Sequence, residues 1–176
     1  MSTTIEITIT KLEMRARPQG LRPQLPHAHD NGRVMLLKAK KPPVHFYRYL
    51  YEAVGKAHTW VERRLISDEV LGAIVQHDDV EIYVLYCDGA PAGYFELDFR
   101  KAPDAELSYF GLLPEFIGRG LGTYLLGAAI DTAWSKPIER LWVHTNTLDH
   151  PRALPNYQKA GFAPFAQSRA HITPMD

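Results

Sequence analysis

The sequence predicts an α+β protein built on one mixed, mostly antiparallel sheet flanked by helices. Three observations carry that expectation. Two apolar-aromatic runs in "VEIYVLYCDGAPAGYFELDF" flank the turn pair Asp88-Gly89, a strong hairpin signal. From Leu121 the apolar period changes from that of a strand to that of a helix, with Leu121, Leu125, Ala128 and Ala129 on one face. Beyond it a strand, a short helix and a last strand follow, so helices and strands interleave around one core.

Taken in order, Ile5 to Met14 alternate as a strand, with Ile5, Ile7, Ile9 and Leu12 as the apolar set. The run "RPQGLRPQLPHAHDN", Arg17 to Asn31, lacks any period and reads as a mobile loop. Its His27 and His29 read as solvated rather than metal-binding, and no metal is expected. Val34 to Ala39 is a second short strand, which completes an N-terminal strand pair within residues 1–40. After Pro42-Pro43 a helix is expected, with Phe46, Tyr49 or Leu50, and Ala53 at helical spacing. Its other aromatics, His45, Tyr47 and Tyr51, with Trp60 beyond, suit the core or a substrate mouth. Ser67 opens a second helix whose face is Val70, Leu71, Ile74 and Val75. After the hairpin, "AELSYFGLL" extends the same sheet. "IERLWVHT" is a strand from Ile138 to Thr145, "HPRALPNYQKAG" a short helix closed by Gly161, and "FAPFAQSRAHI" the final strand.

The 176 residues fit one domain, 45% hydrophobic and 23% charged. Lys and Arg number 20, as do Asp and Glu, so the formal net charge is +0. That balance argues against a nucleic-acid or anionic-membrane partner, either of which selects for surplus basic residues. The single Cys87 rules out an internal disulfide framework and reads as a small buried hydrophobe. The N-terminus shows no signal-peptide pattern, and no apolar run reaches the ~20 residues of a membrane helix. A cytoplasmic protein is expected.

The stretch with most chemistry in it is "GLLPEFIGRGLGTYLLGAAI", Gly111 to Ile130. Gly118, Gly120 and Gly122 stand where a strand gives way to a helix. A helix N-terminus offers unpaired N–H groups and about half a positive charge, and glycines ahead of it let an anion come close. Arg119 adds a charge and Thr123 a hydroxyl. The anion site is not a P-loop, for no Gly-Lys-Ser/Thr follows a four-residue gap. Nor is it a dinucleotide turn, since Thr123 stands in place of the third glycine and an antiparallel hairpin comes before it.

These residues resemble the GNAT N-acetyltransferase family. That family's signature, Gln/Arg-x-x-Gly-x-Gly/Ala, aligns with Ile117 to Gly122, with both glycines matched and Ile117 departing. Further on, "ALPNYQKAGF" resembles Ala-x-x-x-Tyr-x-x-x-Gly-Phe, with Ala153, Tyr157, Gly161 and Phe162 in register; His150 stands where many members carry Asn. The resemblance covers Val80 to Phe162, read as the acetyl-CoA-binding core. It implies a three-layer α/β fold whose sheet splays between the fourth and fifth core strands. It also implies acetyl-CoA as cosubstrate and direct attack by an amine in a ternary complex.

That chemistry needs a base, because an ammonium titrates near ~10.4, fixed donors for the developing oxyanion, and a proton for the thiolate. Tyr157 aligns with the tyrosine that serves relatives as general acid. Glu106, 14 residues before Gly120, sits at the offset of the family's catalytic glutamate; Glu96 on the hairpin is the second choice of base. The resemblance assigns the oxyanion to the backbone N–H of Phe110, pantetheine pairing to Leu112, and pyrophosphate to Gly118, Arg119, Gly120, Gly122 and Thr123. His150 would replace the usual Asn in a cofactor or substrate contact. Gly111 suits the β-bulge expected at the splay, and Asp149 reads as a helix cap. The acceptor is set by Pro42 to His77, which carry no readable motif; neutral charge favours a small amine over a basic protein tail. Open alternatives are a protein or peptide acetyltransferase and a non-catalytic acyl-CoA-binding module. The family also admits a homodimer.

Overall fold

The computed structural model describes residues 4–26 and 33–175. The described residues form thirteen elements, of which two are single 3₁₀ turns, at Lys56–His58 and Pro114–Phe116. The strands are β1 (Ile5–Met14), β2 (Val34–Lys38), β3 (Val80–Cys87), β4 (Ala90–Asp98), β5 (Asp104–Leu112), β6 (Arg140–Asn146) and β7 (Ala163–Ile172). The helices are α1 (Val44–Gly55), α2 (Asp68–Val75), α3 (Leu121–Trp134) and α4 (Ala153–Lys159). All seven strands form one sheet in the order β2-β3-β4-β5-β6-β1-β7. Only β5 and β6 run parallel. The predicted mixed, mostly antiparallel sheet is therefore present, and its two-residue hairpin turn has Asp88 at φ 51° and Gly89 at φ 85°, as a type I′ turn requires.

The N-terminal strands are not partners. β2 pairs with β3 at one edge, while β1 lies between β6 and β7 with hydrogen-bonded neighbours on both sides. β1 is thus an interior strand of the sheet. Its two faces differ: Leu12 and Met14 enter the core beneath α3, whereas Ile7 and Ile9 face the opposite side.

Two apolar cores sandwich the sheet. One joins β4, β5, β6 and β1 to α3, Tyr157 and Phe162; the other packs α1 and α2 on β3 and β4. In α1 the buried stripe is Tyr47, Leu50, Tyr51 and Val54, an i, i+3, i+4, i+7 set. Of the expected set Phe46, Tyr49 or Leu50, and Ala53, Leu50 is buried, Phe46 and Ala53 are partly buried beside the stripe, and Tyr49 is exposed. In α2, Ser67 caps the helix by accepting from the Val70 N–H at 3.3 Å. Leu71 and Val75 are buried but Val70 is exposed. His27 and His29 fall outside the described residues. Nearer β1, residues 17–26 run along α3: Arg17 donates to Asp131 at 2.7 Å, Leu21 and Leu25 join the core, and Pro23 packs on Gly127.

Candidate active site

The sheet splits between β5 and β6. They pair over only three positions, Asp104 to Glu106 against Arg140 to Trp142, and beyond these the strands diverge around a cavity of about 740 Å³. The resemblance placed the splay here. The bulge that accompanies it is not at Gly111. Glu96 lies opposite Tyr109 and Leu97 opposite Leu107, so Ser108 is the extra residue. One inserted residue reverses which side chains face which core. Before it, Leu107 faces α3; after it, Phe110 and Leu112 do, while Tyr109 and Gly111 turn toward α1. Gly111 is glycine because a Cβ there would sit 2.5 Å from Val54 of α1.

Strand alternation decides which main-chain groups meet the gap. The Leu113 N–H bonds to Ala92 on β4 at 2.9 Å, so the groups of Phe110 and Leu112, out of phase with it, face the cavity. Both residues line it, together with Gly118, Gly120, Gly122 and Thr123 at the head of α3. Gly118 and Gly120 have φ of 83° and 79°, left-handed values that disfavour a side chain. The turn thus presents N–H groups stripped of Cβ atoms to a cavity, an arrangement that fits a phosphate anion. Arg119 is placed otherwise than expected: it stacks 5.0 Å over Phe116 and does not line the cavity. Arg152, at the start of α4, does line it, as does His150.

Across the gap stands Tyr157, buried at the cavity wall against Phe110 and Phe162. Burial, reinforced by the charge of Asp149, holds its phenol well above its ordinary pKa, which keeps the proton a donor must carry. His150 fixes its own loop: its Nδ1 accepts from the Arg152 N–H at 3.1 Å. Asp149 is not the helix cap the sequence suggested. It binds the turn before α4, accepting from Thr145 Oγ1 at 2.7 Å, the Asn146 N–H at 2.9 Å and Trp60 Nε1 at 3.2 Å.

Of the two candidate bases, only Glu106 reaches the site. It lines a second cavity, about 320 Å³, which shares Glu62, Ser108, Tyr109 and His144 with the first. Its Oε1 is 3.5 Å from Nδ1 of His144 on β6. The contact with Glu106, aided by the charges of Glu62 and Asp149, raises the His144 pKa above 6.5 against the opposing effect of burial. Glu96 is excluded. Fully buried, it lines neither cavity and is held by the Tyr47 hydroxyl and by Arg63 Nη2 at 2.7 Å. Burial raises its pKa more than these partners lower it. Glu62, which accepts from the Tyr109 hydroxyl at 2.6 Å, joins His144 as a site residue the sequence did not reveal. His144 had one signal available: it alternates with Trp142 on the strand that follows the helix opened by the glycine loop.

The divided sheet carries a glycine turn suited to an anion on one wall of its cavity, with Tyr157 and His144 lining the same space. The Acetyltransferase (GNAT) family matches residues 43–162, and the chain belongs to that family. No curated protein matches. Among solved structures, a conserved protein of unknown function from Staphylococcus epidermidis is similar over 98% of this chain at 16% identity and TM-score 0.67. A GCN5-related N-acetyltransferase from Sphaerobacter thermophilus matches over 96% at 16% identity and TM-score 0.63. This chain spans only 64% and 52% of those two proteins. An aminoglycoside N-acetyltransferase solved with CoA matches over 74% of this chain and 88% of its own, at 19% identity and TM-score 0.54. Such likeness is one of fold. The family model begins at α1, so the interior strand β1 lies outside it.

Proposed function

We propose that the chain is an N-acetyltransferase that moves the acetyl group of acetyl-CoA onto a primary amine of a small-molecule acceptor within a ternary complex. The observation that carries this reading is the continuity of one cavity from the glycine turn, past the cavity-facing backbone of Phe110 and Leu112, to Tyr157 and His144. Bound there, acetyl-CoA supplies an activated thioester. The N–H groups of Gly118 to Thr123 hold the pyrophosphate, with Arg152 and His150 close by. The Leu112 backbone aligns the pantetheine arm, and the Phe110 N–H donates to the acyl oxygen.

At the inner end, Glu106 and His144 take the proton that the acceptor ammonium must lose. His144 lines both cavities and Glu106 only the second, so the imidazole is the member nearer the thioester and the carboxylate orients it. Tyr157 returns a proton to the leaving sulfur. The CoA-bound neighbour acts on an aminoglycoside, one example of a small amine acceptor. The test is a thiol-release assay beside calorimetry. Tyr157→Phe is expected to lower kcat by roughly 10²-fold or more with the Kd for CoA unchanged. Full turnover in that variant would remove Tyr157 from the chemistry; absence of CoA binding by the native chain would overturn the function.

A further inference from the structure

The cavity does not end at His144. Directly opposed residues of antiparallel strands share a face, and β1 opposes Ile9 to Asn146 and Lys11 to His144 on one side, Ile7 to Ala170 and Ile5 to Ile172 on the other. Ile7, Ile9, Ala170 and Ile172 therefore form a floor on the same sheet face as His144, and all four line the cavity. Val61 and Leu65 from the segment after α1, with Met175, form the roof. Arg64 ties the two parts of the roof by donating to the Met175 carbonyl at 3.2 Å. Ile7 is only 2% exposed although it faces away from the α3 core; Leu65 and Met175 stand exposed at the rim.

Of the charged or titratable side chains that line the cavity, Glu62 and His144 stand at the chamber's inner end, Asp149 and Arg152 toward α4, and His171 on β7 beside the floor. Glu106 pairs with His144 at the inner end, whereas Lys11, opposite His144, is drawn over the Trp142 ring. The neighbouring cations are matched: Arg63 by Glu96 and Arg100 by Asp98. An ammonium is favoured at the inner end, and an alkyl or aryl group is favoured beyond it. A second positive charge lodged there would face aliphatic side chains, at a desolvation cost.

We infer that this chamber receives an apolar group of the acceptor, which makes the acceptor an amphipathic primary amine carrying one positive charge rather than a polycation. The inference rests on the acetyltransferase reading and names its substrate class. An apolar acyl chain on the donor has the same chemistry, so the experiment separates the two sources.

With the full chain and acetyl-CoA, kcat/KM is measured by thiol release for ethylamine, butylamine, hexylamine, benzylamine, 1,4-diaminobutane and an aminoglycoside. The expected result is a rise of roughly fourfold per added methylene as the chain is buried, with 1,4-diaminobutane well below hexylamine. Leu65→Asp, at an exposed rim position that leaves the fold intact, flattens the series, and Ile172→Asp repeats the effect from the floor. A flat series, or preference for the diamine or the aminoglycoside, overturns the inference while leaving acetyl transfer standing. A gain seen only when hexanoyl-CoA replaces acetyl-CoA, with ethylamine as acceptor, assigns the chamber to the donor and also overturns it. Should no amine be acetylated, the acetyltransferase reading fails, and calorimetry decides the chamber separately. Hexylamine binding tighter than ethylamine, lost in Leu65→Asp, supports the chamber; equal or absent binding overturns it.

Discussion

Replacement of Glu96 by Gln separates structure from catalysis at the most buried carboxylate among the described residues. Glu96 is 0% exposed and bonds Arg63 at 2.7 Å and the Tyr47 hydroxyl. Gln keeps the shape but removes the charge that neutralises Arg63, whose side chain is 12% exposed. Breaking a buried pair from one side costs about 3–5 kcal/mol, since the orphaned charge stays desolvated. For a domain of this size that lowers Tm by roughly 6–20 °C. Urea denaturation of Glu96→Gln, Arg63→Met and the double variant measures the coupling, and the double variant is expected to recover part of the loss. Below the new Tm, kcat per folded molecule stays near native, because Glu96 touches neither cavity. A variant as stable as the native protein but catalytically dead would refute the reasoning and restore Glu96 as the base.

Three further outcomes are expected. Leu12→Ala in β1 costs about 2–5 kcal/mol in urea denaturation, because Leu12 is fully buried in an interior strand; a cost under about 1 kcal/mol would mark β1 as peripheral. Turnover rises with pH above 6.5 as His144 loses its proton, and Glu106→Gln, by removing the partner that raises this pKa, shifts the rise to lower pH in a pH–rate profile. The sign for stability is opposite: the folded pKa exceeds the unfolded one, so the pair's contribution is complete below 6.5 and is lost as pH climbs through the raised value. Gly120→Ala forces a left-handed φ of 79° on a residue whose Cβ would lie 2.8 Å from Pro26. It weakens CoA binding by calorimetry at least tenfold, and unaltered affinity would remove the turn from the site.

Much of the site was legible because its signals are local. Positive φ at Asp88, Gly89, Gly118 and Gly120 is a property of a few consecutive residues, and so are the helix that starts at Leu121 and the spacing of Ala153, Tyr157 and Gly161. The glycine turn could be read for that reason, whereas Tyr157 was singled out through the resemblance of its motif to the family's. The parity of β5 could not: one extra residue at Ser108 decides which neighbours face each core, and nothing in "AELSYFGLL" announces it.

What the sequence by itself determined was the set of elements, the hairpin, the backbone turn that suits an anion and the tyrosine across from it. The elements, the hairpin and the turn follow from the period and conformational limits of short segments, and the tyrosine from the resemblance of its motif to the family's. Only the tertiary structure decided that β1 lies between β6 and β7, that Glu96 is sealed beneath α1 while Glu106 meets His144, and that Arg152 rather than Arg119 lines the cavity. Those outcomes depend on which faces, distant along the chain, bury one another most completely, a balance of long-range packing that no local pattern encodes.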